Sequence, residues 1–208
     1  MRRISSNGGG PGEPDWVTER ERFRPAGLDW QVVLVDTADV VCNLNEVRVY
    51  PSGFRFHVHA LLRPGATDWA RTAFSTRRPR GGPEPSGGEG SEGAFLFGVE
   101  YEDGRRAAIG IGPHGRSRFA EEPGVFPVLR LERASSTSDE SDSEAVLYGL
   151  PGKGSLKFHA RWSALGAAES SVELDGDALR DAAARAVPLW PAAEPPATEA
   201  TESGPSGR

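Results

Sequence analysis

His57 and His59 are two of the four histidines in the chain and the only two close in sequence, separated by a single residue. On an extended backbone alternate side chains share a face, so this spacing sets the two imidazoles side by side. Such a pair can ligate a metal ion if a third and usually a fourth donor joins it, with outer partners orienting each ring. His159, or Glu46 across a hairpin, is the candidate to complete that set. The same face can also act without a metal. Arg55, His57, His59 and Arg63, joined by Lys157, His159 and Arg161 if both segments share a sheet, form a basic patch able to hold a phosphate or carboxylate. Glu100 and Glu102 are the groups that would neutralise it. Against both stands a purely structural reading, in which histidines on a polar strand face meet carboxylates on neighbouring strands. The candidate ligand-binding residues are Arg55, His57, His59 and His159; no catalytic residue, metal set or cofactor is assigned.

Other motifs fall short on context. Residues 110–115, GIGPHG, spell G-x-G-x-x-G, but the sequence that follows has no helical periodicity to place a dinucleotide phosphate on a helix start. Residues 151–155, PGKGS, lack the upstream glycine of a phosphate loop and read as a turn. The serines are too many to single out a nucleophile. Cys42 is the sole cysteine, so no disulfide forms within the chain, and its Val40-Val41 neighbours predict a buried, inert thiol.

The elements that must carry these residues are strands. Residues 47–62, VRVYPSGFRFHVHALL, alternate on both sides of Pro51-Ser52-Gly53. Proline suits the fixed φ of a type I turn, and glycine suits a positive φ at a following bulge. Phe54, Phe56, Val58, Ala60 and Leu62 then face a core, and Arg55, His57, His59, Leu61 and Arg63 face away. Residues 30–35 predict a strand, 40–44 a short strand or bend, and 95–109 a second hairpin with Asp103-Gly104 as a type I′ turn. Further strands are expected at 125–131, 145–150, 156–162 and 172–174. Asp175 is a helix N-cap for a helix near 177–187, stopped by Pro188, with Leu189-Trp190 anchoring the chain's end.

Between these runs the composition changes. Residues 1–27 and 191–208 read as disordered, as do loops at 76–93 and 135–144, the latter the low-complexity SSTSDESDSE. Residues 68–74 predict a helical turn with Trp69 and Phe74 covering a sheet edge.

In order, VRVYPSGFRF, FLFGVEYEDGRRA, a low-complexity loop, YGLPGKGSLKFHARW and LDGDALRDAAARAVPLWP resemble a family of small uncharacterised proteins from actinobacteria, over most of residues 28–191. The resemblance implies a β-sandwich and carries no activity. Family members often have Gly in the loop where this chain has Ser, Asp and Glu, which implies a spacer.

The sequence thus predicts an all-β chain: a single antiparallel β-sandwich of about seven or eight strands over residues 28–190, with one short C-terminal helix and disordered tails. A net charge of −6 argues against nucleic acid, which needs a basic footprint. No apolar run is long enough for a membrane span, and none follows Met1-Arg2-Arg3 as an export signal, so the cytoplasm is expected. The leading expectation is a non-enzymatic binding or interaction domain for an unidentified protein or small molecule. The alternatives are a metal-dependent enzyme using the His57/His59 face and an oligomeric assembly protein.

Overall fold

The elements in chain order are α1 (Glu19–Arg22), β1 (Phe23–Arg24), β2 (Ala26–Leu28), β3 (Val32–Asp36), β4 (Val40–Tyr50), β5 (Gly53–Leu62), β6 (Phe95–Tyr101), β7 (Arg106–Ile111), β8 (Val128–Ser136), β9 (Glu140–Tyr148), β10 (Ser155–Trp162), β11 (Ala167–Asp175), α2 (Gly176–Ala184) and β12 (Val187–Pro188). They are seen in a computed structural model that describes residues 19–71 (Trp69 excepted), 95–111 and 126–190. The expected loop at 76–93, the tail at 191–208, the Trp69/Phe74 contact and the later part of GIGPHG lie outside the described residues.

β4 and β5 form the expected hairpin across Pro51 and Ser52, with Tyr50 opposite Gly53. Gly53 serves a different purpose from the one its position suggests. Its φ is not positive, and a Cβ there would stand 2.3 Å from the Leu147 carbonyl oxygen of β9. The close approach of the neighbouring strand, not the turn, demands glycine. β4 is one strand of 11 residues where the alternation suggested separate pieces. A bulge at Glu46, whose φ is 51°, inserts a residue between Asn45 and Arg48. The inserted residue resets the alternation, so Val40, Cys42 and Leu44 before it and Val47 and Val49 after it all face the core.

Two large antiparallel sheets result, beside a two-stranded one of β1 and β12. One holds six strands in the order β2-β4-β5-β9-β8, with β3 also on β4; the other holds four in the order β11-β10-β6-β7. Their inner faces meet through aromatic rings. Phe56 of β5 lies 5.5 Å from Phe97 of β6 and 5.6 Å from Phe158 of β10, and Phe54 meets Phe158 edge-on at 6.4 Å. This is the expected all-β sandwich, with more strands than expected because residues 23–28 and 187–188 also pair, while the acidic segment lengthens β8 and β9. Along one side Ser170 of β11 donates its hydroxyl to the Leu34 carbonyl of β3, joining the sheets across their edges.

Three expectations are corrected. The segment 135–144 is no spacer: β8 and β9 run through it and leave only residues 137–139 as the turn. Glu140, Asp142 and Glu144 alternate with Ser141 and Ser143, a period of two that low-complexity composition concealed, and Ser143 is 2% exposed opposite Val58. Of the expected lead-in, residues 1–18 lie outside the described residues, and residues 19–27 are ordered rather than disordered. β1 pairs with β12, β2 pairs with β4, and Glu19 accepts hydrogen bonds from the backbone N–H and hydroxyl of Ser52 at 3.1 and 2.6 Å. The β6–β7 turn is not type I′, because of its residues only Gly104 has a positive φ, 82°. The Gly104 N–H meets the Tyr101 carbonyl, making a three-residue loop closed by a left-handed glycine.

The C-terminal helix α2 begins as expected, with the Asp175 carboxylate accepting from the N–H groups of Asp177 and Ala178. Trp190 ties down the chain's end, yet against the lead-in rather than the core: it is 69% exposed and its indole N–H donates to the Glu21 carbonyl. Among the described residues no helix is long and apolar enough to cross a membrane.

Two outcomes follow from this packing. Gly53→Ala should cost about 1–3 kcal/mol in urea denaturation, because β9 must move away from the new methyl; an unchanged midpoint would show the close approach to be soft. Cys42 is fully buried, and desolvation pushes its thiol from 9.0 to about 12. Above pH 9 the unfolded chain therefore ionises this thiol while the folded chain does not, so the group's contribution to stability is complete below 9 and is lost as the pH climbs toward 12. Between pH 8 and 10.5 the wild type should lose about 1–2 kcal/mol more stability than Cys42→Ala. Parallel losses in the two proteins would contradict the burial argument.

Candidate functional site

The outward face of β5 carries Arg55, His57 and His59 as the alternation requires, but a carboxylate of β9 meets each one. Arg55 donates to Glu144 at 2.9 Å, His57 Nδ1 lies 3.1 Å from both carboxylate oxygens of Asp142, and His59 Nε2 lies 2.8 Å from Glu140. A carboxylate only accepts, so the facing ring nitrogen is the one that carries hydrogen. Arg63 turns to Asp36 on β3. The partners are diagonal, since His57 stands directly opposite Glu144 and His59 opposite Asp142. The result is a ladder of hydrogen bonds from Arg55, His57 and His59 to carboxylates rather than an open basic patch. Glu100 and Glu102 have no part in it; the neutralising groups come from the segment read as a spacer.

Arg55 is the buried centre of this face. Its side chain is 11% exposed and bridges Glu132 of β8 at 2.8 Å as well as Glu144 of β9. Burial works against its charge, but the two carboxylates more than compensate and hold its pKa above the ordinary value. Arg20 of α1 adds a second cation to Glu132 at 3.1 Å. Three adjacent strands and the lead-in are thus fastened at one point, beside an outer apolar cluster of Val128, Val146 and Tyr148.

His159 is not part of this face. It projects from β10 on the outside of the four-stranded sheet, with the whole core between it and His57. The condition for a joint patch, that both segments share a sheet, is not met. Glu46 is also unavailable as a third donor, being the bulge residue with its carboxylate 3.6 Å from Arg48. Among the described residues no group of three or more His, Cys, Asp or Glu side chains is arranged to hold a metal ion.

The outer face around His159 has a different character. Ser171, His159, Gly98 and Ala108 form one row across β11, β10, β6 and β7. Where Gly98 and Ala108 lack bulk, the surface sinks into a depression of about 500 Å³ bordered by Glu100, Arg106, His159 and Glu169. An adjoining hollow of about 250 Å³ extends past Leu96 to Arg161. His159 lies 3.5 Å from Glu100 and 3.8 Å from Glu169. Its Nε2 is shielded from solvent yet makes no hydrogen bond, since the Glu100 oxygen is too far away for one. Residue types alone did not reveal this site. The available signal was Gly98 in the middle of the alternating run FLFGVEY, which breaks an otherwise bulky strand.

Fold and surfaces together define an all-β antiparallel sandwich with one outer face closed by hydrogen bonds to carboxylates and the other hollowed over a glycine. No known protein family, curated protein or solved structure matches this chain.

If Arg55 is a structural fastener, Arg55→Ala should lower stability by about 2–3 kcal/mol, because Glu132 and Glu144 are left facing each other half-buried. Changing both glutamates to Gln in that background should recover part of the loss. His57→Gln, which removes only a partly exposed pair, should stay within about 1 kcal/mol. Urea midpoints of the four proteins decide the matter; a harmless Arg55→Ala would refute it.

Proposed function

We propose that the protein is a non-enzymatic binding domain of the cytoplasm and that its binding surface is the hollow on the four-stranded sheet. The hollow itself carries the reading. Its volume falls in the range of small-molecule sites, its floor is apolar, and Arg106, Arg161, Glu100, Glu169 and His159 around it are groups that orient a ligand. The β5 face suits this role less well, because Arg55, His57 and His59 already have carboxylate partners. The resemblance to small actinobacterial proteins belongs to the same reading and adds no activity to it.

Backbone amide shift mapping with a library of small fragments tests the proposal. Binders should shift Gly98, Ala108 and His159 together. Fragments that bind only on the β5 face, or none that bind at all, would overturn it. So would turnover in a broad hydrolase screen that His57→Ala abolishes, since that points to an enzyme working from the opposite sheet.

A further inference from the structure

Gly98 is out of place by every local rule. It sits in β6, an inner strand of its sheet, where a glycine loses backbone entropy and contributes no packing. Three ordinary reasons for a glycine in a strand are absent here. The ladders on both sides run through Gly98 in unbroken register, so no bulge requires it. Its φ is not positive, so no special backbone conformation requires it. A Cβ at this position would meet the Ala107 carbonyl oxygen at 3.4 Å, the Ala108 Cβ at 3.5 Å and the His159 Cβ at 3.9 Å, all ordinary contacts, so no neighbour forbids a side chain. Gly53 makes the contrast, since a Cβ there would collide with backbone at 2.3 Å. The fold has room for a Cβ at 98 and the sequence withholds it. The remaining reason is space above the strand for something that lies on it.

The hollow's shape and charge narrow what that occupant is. The floor is the flat backbone of β6 with the Ala108 methyl beside it, bounded on one side by the His159 ring. Along β6 the bordering side chains are Leu96 and Glu100, four residues and about 13 Å apart; from β10 to β7 is two strand spacings, about 10 Å. That outline accepts one or two fused rings lying flat. Glu100 and Glu169 face His159, and Lys157 lies 3.7 Å from Glu173. Arg106 and Arg161, at opposite ends, make no ion pair or hydrogen bond with a described residue. These two are the rim cations left for a ligand, and guanidinium groups both stack on rings and grip planar anions in paired hydrogen bonds. We infer that the hollow binds an aromatic carboxylate, its ring flat on Gly98 and Ala108 and its carboxylate, coplanar with the ring, held by a guanidinium at the end of the slot. A tetrahedral phosphate cannot lie coplanar with the ring and fits a flat slot less well.

This inference rests on the reading that the hollow binds a ligand, and the test separates the two. Wild-type protein is titrated with 2-naphthoate, with 2-naphthamide (ring without charge), cyclohexanecarboxylate (charge without a flat ring) and phenyl phosphate as comparators, following amide shifts. Naphthoate should saturate at Gly98, Ala108 and His159 and bind at least tenfold tighter than each comparator. Gly98→Val and the double variant Arg106→Gln/Arg161→Gln should each weaken it at least tenfold. Gly98→Val should at the same time unfold at a higher urea concentration than wild type, which shows the fold intact and the glycine unneeded by it. Naphthoate binding unchanged in Gly98→Val, a comparator binding as tightly as naphthoate, or a destabilised Gly98→Val would each overturn the inference. If naphthoate fails while other fragments map to Gly98, the ligand class is wrong and the binding surface stands; if no fragment maps there, both fall.

Discussion

Everything in this fold depends on one contact, the meeting of two sheets through Phe54, Phe56, Phe97 and Phe158. The rings come from β5, β6 and β10, strands that do not all belong to one sheet, so their packing is what converts two hydrogen-bonded ladders into a single body. With only one cysteine, the chain has no internal crosslink to share that task. Burial of ring area is non-directional, but the edge-to-face and tilted geometries are not, and they set how β5 sits over β10. The outer faces follow from that choice. Once Phe54 and Phe56 point inward, Arg55, His57 and His59 must point outward.

The two outer faces then meet opposite demands. On the six-stranded sheet the outward cations of β5 stand next to β9, whose acidic residues recur at every second position. Arg55, His57 and His59 each find a carboxylate of β9 within hydrogen-bond reach. On the four-stranded sheet the outward row includes Gly98 and Ala108, and completion is left unfinished. A sheet face that satisfies itself is a wall; one with missing side chains and unmatched guanidinium groups has a capacity to accept something else.

Much of the architecture could be read from residues, because period-two alternation is a local property. FRFHVHALL and LKFHARW declare their inward and outward sides without any tertiary information, and Asp175 declares a helix start. What escaped was either interrupted or disguised. The bulge at Glu46 broke the alternation of β4, so one strand read as two. The acidic residues of β9 alternate faithfully, but serine and carboxylate both look like loop composition, and only the facing cations of β5 make a strand of them. The candidate site suffered from a different limit. His57, His59 and His159 are similar letters on similar strands, and which sheet each strand joins depends on long-range pairing that spacing does not encode. The hollow was harder still, since it is defined by an absent side chain, while a search by residue type looks for present ones.

The pairing of β1 with β12 has a consequence of another kind. Because Arg24 stands opposite Val187 and the Trp190 indole holds Glu21, the two ends of the described domain leave it from one place. A domain whose entry and exit coincide adds almost no distance to a chain that contains it. Such a domain suits insertion into a surface loop of a host protein, because the Leu189 N–H meets the Arg22 carbonyl and the two flanks lie side by side. The clasp that closes this fold also makes it portable.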